Sequence, residues 1–184
     1  MKEKFLVPLL YRNESIIPVC YAVDNGFFDS LEFEVFVDFH DKIWADHEIF
    51  TSGKAHAVRG DFSRFLKFKK EMEVVITHNF TRDFQLISRN KMDTFDGKNI
   101  LISKGTSVEF YTDLYCKLNS IEIEKISITE IKDRYESFLK DEKYDSIFIP
   151  DPFASELLEK GFNKVWDIRD QDVNIKCWMF DKEF

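Results

Sequence analysis

Hydrophobic positions recur along the chain in two alternating patterns, and each pattern predicts one kind of element. Short apolar runs and alternating apolar and polar residues predict strands at 5–10, 31–39, 55–58, 74–78, 84–88, 99–102, 121–128, 146–149, 164–168 and 174–180. Helical spacing between them predicts helices at 16–23, 41–51, 62–69, 106–119, 131–139 and 152–160. Because strands and helices alternate without a repeat or a linker rich in Pro and Gly, the sequence predicts an α/β fold with mainly parallel sheets.

Two of the predicted helices begin at capping boxes. Thr106 and Glu109 have the Thr-x-x-Glu spacing of a capping box. For the helix at 131–139 the expected N-cap is Ser127 or Thr129. The core-facing stripe predicted for that helix consists of Ile131, Tyr135, Phe138 and Leu139.

Polar turns follow three predicted strands, at the position where parallel α/β sheets bind their ligands. These turns are 11–15, 103–107 and 150–152. In the second turn Gly105 lets the backbone bend, and free N–H groups join the hydroxyls of Ser103, Thr106 and Ser107. Such a helix start is a seat for an anionic group. A well-capped helix that binds nothing explains the same residues, so both interpretations stay open at this point.

Charge and cysteine content exclude several classes of protein. The chain of 184 residues has a net charge of −8 with its acidic residues spread out, which argues against nucleic-acid binding. Its three cysteines form no Cys-x-x-Cys pair, so we expect buried thiols in a reducing compartment. No stretch is apolar enough for a membrane span, and the N-terminal apolar run ends at Leu10, too early for a signal peptide. The sequence therefore predicts a cytoplasmic protein.

Four segments occur in an order and spacing typical of one family. They are Ile17–Phe28, which ends in Gly-Phe-Phe; Ser52–Ala57; Phe95–Ser107, with Gly-Lys, a strand and Gly-Thr-Ser; and Asp145–Ser155, with Pro-Asp-Pro-Phe-Ala. Together they resemble the type II periplasmic solute-binding fold, in particular its nitrate, sulfonate and thiamine-precursor binding branch. The resemblance covers residues 5–167.

The resemblance implies two lobes with a ligand in the cleft between them. Lobe one would comprise residues 1–88 and 172–184, lobe two residues 92–168, and the hinge crossings would lie at 89–91 and 169–171. The family normally carries an export signal and continues with further helices after the return strand. Because neither is visible in this sequence, we expect a lobe one that is truncated at its C-terminal end or completed by a homodimer partner.

Residues in the three turns, and residues after the short lobe-one strand at 55–58 that would face lobe two, are the candidates for holding a ligand. Arg12, for example, would make paired hydrogen bonds to a planar anion. The candidate ligand-binding residues are Tyr11, Arg12, Asn13, Ser15, Arg59, Asp61, Ser103, Gly105, Thr106, Ser107 and Asp151. Asp61 and Asp151 have a second interpretation, since each is also a suitable N-cap for the helix after it.

The sequence predicts no metal, no cofactor and no catalytic group. A run of metal-ligating residue types contains His40, Asp41, Asp46, His47 and Glu48. Its two histidines are not at the i, i+4 spacing of a zinc helix, so a solvated acidic helix explains the run. Neither a Gly-x-Ser-x-Gly elbow nor a complete phosphate loop is present.

The main prediction is a transport-related, solute-binding type of protein that binds a small anionic or heteroaromatic metabolite without catalysis. One alternative is an enzyme on the same scaffold, with Asp61, His78 or Asp151 as acid or base. The other is a dimeric interaction module that has lost ligand binding. Stabilisation by a ligand would separate the first two functions from the third.

Overall fold

The computed structural model describes residues 2–10, 16–40, 42, 45–62, 66, 74–78, 84–171, 173 and 176–182. The chain divides into two compact units. The first unit consists of Met1–Thr81 with Asn174–Phe184, and the second of Arg82–Val173. None of the helices in the described part of the chain has both the length and the apolar character needed to cross a membrane.

The described strands of the first unit form a parallel pair and an antiparallel group of three. The pair consists of β1 (Glu3–Leu10) and β2 (Phe33–His40). In the group of three, β10 (Lys176–Asp181) lies between β3 (Ala57–Asp61) and β4 (Val74–His78) and is antiparallel to both. A strand from the end of the chain therefore completes the first unit.

Helices accompany these strands in the described part of the unit. α1 (Ile17–Asp24) connects β1 to β2, and α2 (Ala45–Thr51) precedes β3. The last residue of α1 is Asp24, and Asn25 is its C-cap. Gly26 follows in a left-handed conformation with φ of 70°, so the helix stops at Asn25-Gly26 as predicted. The apolar residues between helices and strands form two clusters, one around Phe50, Val58 and Met179 and one around Val7, Leu9 and Ala57.

The second unit is built on one five-stranded sheet with strand order β7-β6-β8-β5-β9. In chain order the strands are β5 (Phe84–Ser88), β6 (Asn99–Ile102), β7 (Glu124–Ser127), β8 (Ser146–Pro150) and β9 (Asn163–Asp167). β6 is parallel to β7 and β8, whereas β5 is antiparallel to β8 and β9. Because of these pairings β5 belongs to the second unit, although the sequence placed residues 84–88 at the end of lobe one.

Three helices cover the two faces of this sheet. They are α3 (Ser107–Asn119), α4 (Ile131–Lys140) and α5 (Phe153–Glu159). On the face of α4 and α5, Tyr135 and Phe138 are buried and Ile131 and Leu139 pack against them, which confirms the predicted stripe. On the other face the ring of Phe148 lies 6.3 Å from that of Tyr111 in α3 and 5.8 Å from that of Trp166.

The start of α4 differs from its prediction. Its N-cap is Glu130, without a side-chain cap, and Ser127 lies within β7, so both predicted caps are wrong. Arg134, only 1% exposed, instead donates to the carbonyl oxygens of Ile128 at 2.8 Å and Thr129 at 3.2 Å. Burial lowers the pKa of Arg134 to about 10. A buried guanidinium thus holds the segment before the helix.

The cysteines are all free thiols, and Cys177 in β10 is buried. Burial raises the pKa of the Cys177 thiol to about 11. Because the thiolate is the reactive form, we expect Cys177 to be unreactive in the native protein near pH 8. Titration with Ellman's reagent should therefore find no more than two accessible thiols before unfolding and a third one in urea; three fast thiols in the native protein would contradict the buried position.

Candidate functional site

Several of the predicted ligand-binding residues lie outside the part of the chain that the structure describes. These are Tyr11, Arg12, Asn13 and Ser15, which follow β1. Their assignment to a ligand site, and the interlobe cleft expected from the family resemblance, stay predictions. The other candidates belong to two separate groups, one in each unit.

In the first unit, Arg59 and Asp61 lie on β3. The Asp61 carboxylate pairs with Lys176 Nζ at 3.0 Å, with side chains that are 5% and 13% exposed. This ion pair connects β3 to β10, since Lys176 is directly opposite Asp61 in the sheet. Gly60, between Arg59 and Asp61 in the strand, allows close packing against α2, because a Cβ at this position would lie 2.8 Å from the His47 ring. Arg59, Gly60 and Asp61 are thus part of a strand, and Asp61 has a structural ion pair.

In the second unit, the remaining candidates lie on one side of the sheet. β6, β7, β8 and β9 end at this side, and β5 begins there, because β5 alone runs antiparallel to its neighbours. We call it the carboxyl side. The turn after β6, Asp151 after β8 and the first residues of β5 therefore meet at one place. This agrees with the reasoning that grouped the turns 103–107 and 150–152.

The turn after β6 is held by its own hydrogen bonds. Thr106 is the N-cap of α3, as predicted, and its hydroxyl accepts the N–H of Val108 at 3.2 Å and donates to the carbonyl of Ser103 at 2.7 Å. The Glu109 carboxylate accepts the N–H of Gly105 at 2.8 Å. Ser127 accepts the N–H of Lys104 at 3.1 Å. The carboxylate of Glu109 thus occupies part of the helix N-terminus at which the sequence predicted an anionic ligand.

Asp151 makes hydrogen bonds with both carboxylate oxygens and is 7% exposed. Oδ1 accepts the N–H of Ser155 at 3.0 Å and its hydroxyl at 2.7 Å. Oδ2 accepts the side-chain amide of Gln85 at 3.1 Å. The N-cap of α5 is Pro152, so the N-cap interpretation of Asp151 is wrong, although Oδ1 still binds the first turn of the helix from the residue before that cap. The other oxygen, Oδ2, faces the beginning of β5.

Two residues of the carboxyl side were not singled out in the sequence, Gln85 and Arg169. Gln85 is 2% exposed and lies in the apolar strand Phe84–Ser88, so a polar residue within an apolar run was the signal that could have found it. Arg169 donates through Nε to both oxygens of Asp167, at 2.9 and 3.0 Å. Burial alone would raise the pKa of Asp167, but the hydrogen bonds from Arg169 outweigh it and hold this pKa below its ordinary value.

Among the described residues of this unit, two buried side-chain oxygens, at the end of β6 and the start of β5, have no hydrogen-bond partner. They are the hydroxyl oxygen of Ser103 and the side-chain oxygen of Gln85. Each residue is 2% exposed. A buried polar atom without a partner costs about 1–3 kcal/mol, so such atoms need an explanation beyond the fold.

The described residues contain no group of three His, Cys, Asp or Glu side chains that could hold a metal ion. In the acidic run, Asp46 Oδ1 accepts the N–H of His47 at 2.8 Å and lies 3.5 Å from the His47 Nε2 atom. Asp41 lies outside the described residues, and His78, an acid–base candidate, lies in β4.

No protein-family model matches the sequence, and no curated protein matches it. Solved structures match the fold of the whole chain. The periplasmic aliphatic sulphonate binding protein SsuA from Escherichia coli is 14% identical with a TM-score of 0.77, over 100% of this chain and 63% of that one. The chain therefore spans less than two thirds of that protein's length.

Two further structures agree with this match. The alkanesulfonate-binding protein SsuA from Xanthomonas axonopodis pv. citri, bound to MOPS, is 11% identical with a TM-score of 0.74, over 100% of this chain and 68% of that one. The methionine binding protein MetQ is 11% identical with a TM-score of 0.70, over 98% of this chain and 84% of that one. With TM-scores of this size, the chain has the α/β type II solute-binding fold that its four motif segments predicted.

Proposed function

We propose that this protein binds a small polar metabolite at the carboxyl side of the second unit's sheet. The observation that carries the proposal is the pair of buried polar atoms without partners, on Ser103 and Gln85. Both lie where strands of an α/β sheet end or begin and where such folds bind ligands. A bound molecule that supplies the missing hydrogen bonds would remove the cost of leaving these atoms unpaired.

The names of the similar proteins support the same function. They describe binding of aliphatic sulphonates, alkanesulfonates and methionine, all of which are small polar solutes. These names support solute binding as a class and leave the ligand of this chain open, because a fold hosts many ligands. A role in transport, a cytoplasmic location and a homodimer stay predictions.

Ser103→Ala is expected to separate ligand binding from folding. Removing a hydroxyl without a partner should leave the unliganded protein as stable as the parent, or stabilise it by up to about 1 kcal/mol. The same change should weaken ligand binding, because the ligand loses a hydrogen bond. The measurement is the melting temperature with and without each compound of a broad metabolite library, after native mass spectrometry of the purified protein for any ligand already bound. A ligand at 100 times its Kd adds about 2.7 kcal/mol of stability, which is a readily measured shift.

Ser146→Ala is the matched control for this experiment. Ser146 is also a buried serine of the same sheet, but its hydroxyl donates to the carbonyl of Asn99 at 3.1 Å, at the opposite side. This variant should lose about 1 kcal/mol of stability and keep the ligand-induced shift. The proposal fails if no compound shifts the melting temperature of the parent protein, or if Ser103→Ala and Ser146→Ala respond to a ligand equally.

A further inference from the structure

The unpartnered oxygen of Gln85 lies beside a second acceptor, Oδ2 of Asp151. The amide nitrogen of Gln85 is 3.1 Å from Oδ2, which fixes the orientation of the amide. Oxygen and nitrogen of one amide are about 2.2 Å apart, so the Gln85 oxygen lies within about 5 Å of Oδ2. Two buried acceptors, one of them a carboxylate oxygen, thus lie within the reach of one donor group.

For the Gln85 oxygen, the described residues supply no donor. Within the described residues, the side-chain amide of Gln85 is the hydrogen-bond donor to Oδ2. Arg169 forms an ion pair with Asp151, but its Nη1 atom is 4.0 Å from Oδ2, beyond hydrogen-bond distance. The guanidinium of Arg169 is engaged with both oxygens of Asp167. A neutral or cationic N–H group from outside the chain would satisfy the Gln85 oxygen and add a second hydrogen bond to Oδ2, since a carboxylate oxygen can accept more than one.

The charges of the carboxyl side also disfavour an anion at this place. Glu109 already brings its carboxylate to the N–H of Gly105 at the start of α3, and Asp151 brings a second carboxylate. An anion bound at Gln85 would have to lie beside the Asp151 carboxylate, which repels it. Of the two ligand classes that the sequence predicted, anionic and heteroaromatic, the geometry is compatible with a heteroaromatic compound that carries an amino group.

We infer that the ligand presents an N–H donor, as an ammonium, an amidinium or an amino-substituted heteroaromatic ring, to Gln85 and Asp151. This inference rests on the proposed function and narrows it to a ligand class. The negative charge of the Asp151 carboxylate attracts the N–H group of the ligand, and the Gln85 oxygen fixes the orientation of that group. Hydrogen bonds to a charged group are the stronger ones, so this contact would dominate selectivity among ligands of similar size.

The test compares small probes that differ in their polar head. Benzamidine is paired with benzoate, and 4-aminopyrimidine with pyrimidine-4-carboxylate, in calorimetric titrations of the full chain. The nitrogen-bearing member of each pair should bind at least tenfold more tightly. Asp151→Asn should weaken that binding about 10- to 100-fold, since it replaces a charged acceptor by an amide while an oxygen remains to cap Ser155.

Two further variants keep the test decisive. Gln85→Met removes the second acceptor at similar side-chain length and should weaken binding in the same direction, whether or not Asp151→Asn folds. Asp145→Asn makes the same charge change at the opposite side of the sheet, where Asp145 Oδ2 accepts the N–H of Asn99 at 3.1 Å, and should leave binding unchanged.

The outcomes distinguish this inference from the proposed function. If the carboxylate probes bind as tightly as the nitrogen-bearing ones, or if Asp151→Asn and Asp145→Asn have equal effects, the inference is overturned while ligand binding stands. If neither kind of probe binds and no library compound stabilises the protein, the proposed function fails and this inference fails with it.

Discussion

Phe148→Ala should lower the free energy of unfolding by about 3–5 kcal/mol, the range for a fully buried Phe in a core. Phe148 in β8 is 0% exposed. Its ring lies 6.3 Å from those of Phe84 and Tyr111 and 5.8 Å from that of Trp166, so it connects two neighbouring strands with α3. The truncation would leave a cavity bounded by three rigid rings, which cannot collapse easily.

Urea denaturation at 25 °C, followed by circular dichroism, measures this loss. Phe110→Ala is the matched control, because Phe110 also contacts an aromatic ring, that of Tyr111 at 5.6 Å, but is 44% exposed. The control should lose less than about 1 kcal/mol. Equal losses for the two variants would show that Phe148 is not at the centre of a packed core.

Arg89→Ala should cost about 2–4 kcal/mol, because charge-assisted hydrogen bonds contribute about 1.5–3 kcal/mol each and this side chain is half-buried. Arg89 follows β5 and donates to three backbone carbonyls, those of Phe138, Asp141 and Tyr144. Its guanidinium also lies 4.7 Å from the ring centre of Phe138. A cation at the end of α4 satisfies carbonyls that the helix leaves open and interacts favourably with the helix dipole.

Arg89→Lys and Lys143→Ala test, in the same urea experiment, whether the hydrogen bonds of the Arg89 guanidinium stabilise the protein. Lysine keeps the charge but cannot donate to three carbonyls in the geometry of a guanidinium, so it should recover less than half of the loss. Lys143 lies 4.8 Å from the ring centre of Tyr144 and its side chain is 63% exposed, so its removal should have a small effect. Full recovery by lysine would mean that charge alone matters at this position.

The elements that local patterns specify were predicted well. The strands at 84–88 and 99–102 have the predicted bounds, and Thr106 caps the helix after the second of them. In each case a short apolar run is followed by a polar or turn-forming residue, so the residues next to one another in the sequence determine where the element begins and ends. The Thr129 cap was wrong: the N-cap of this helix is Glu130, and the carbonyl of Thr129 accepts a hydrogen bond from Arg134, which tertiary packing buries.

Strand partners were beyond the reach of local patterns. The antiparallel direction of β5, and its place in the second unit, depend on its pairing with β8 and β9, which lie far away in the chain. Period and propensity contain no information about which strands meet. The lobe boundary at residue 88 was therefore drawn after β5, whereas the division between the two units precedes it.

The sequence placed candidate residues at this side of the sheet but did not predict their contacts. Reasoning from turns identified Ser103 and Asp151, which share the carboxyl side of one sheet. It missed Gln85, because a glutamine in a strand has no motif, and it did not foresee that Glu109 would bind the N–H of Gly105. Both contacts are set by side-chain geometry, and they change the expected charge of the ligand.

β10 follows the whole second unit in the chain, yet it is the middle strand of its own group. While a ribosome is producing residues 82–173, β3 and β4 lack the strand that later joins them, and their backbone donors and acceptors are open to wrong partners. The second unit, whose strands pair among themselves, can finish its sheet during that interval. The unit that is synthesised first therefore completes its folding last. We expect nascent chains that stop before residue 176 to be the ones that need a chaperone.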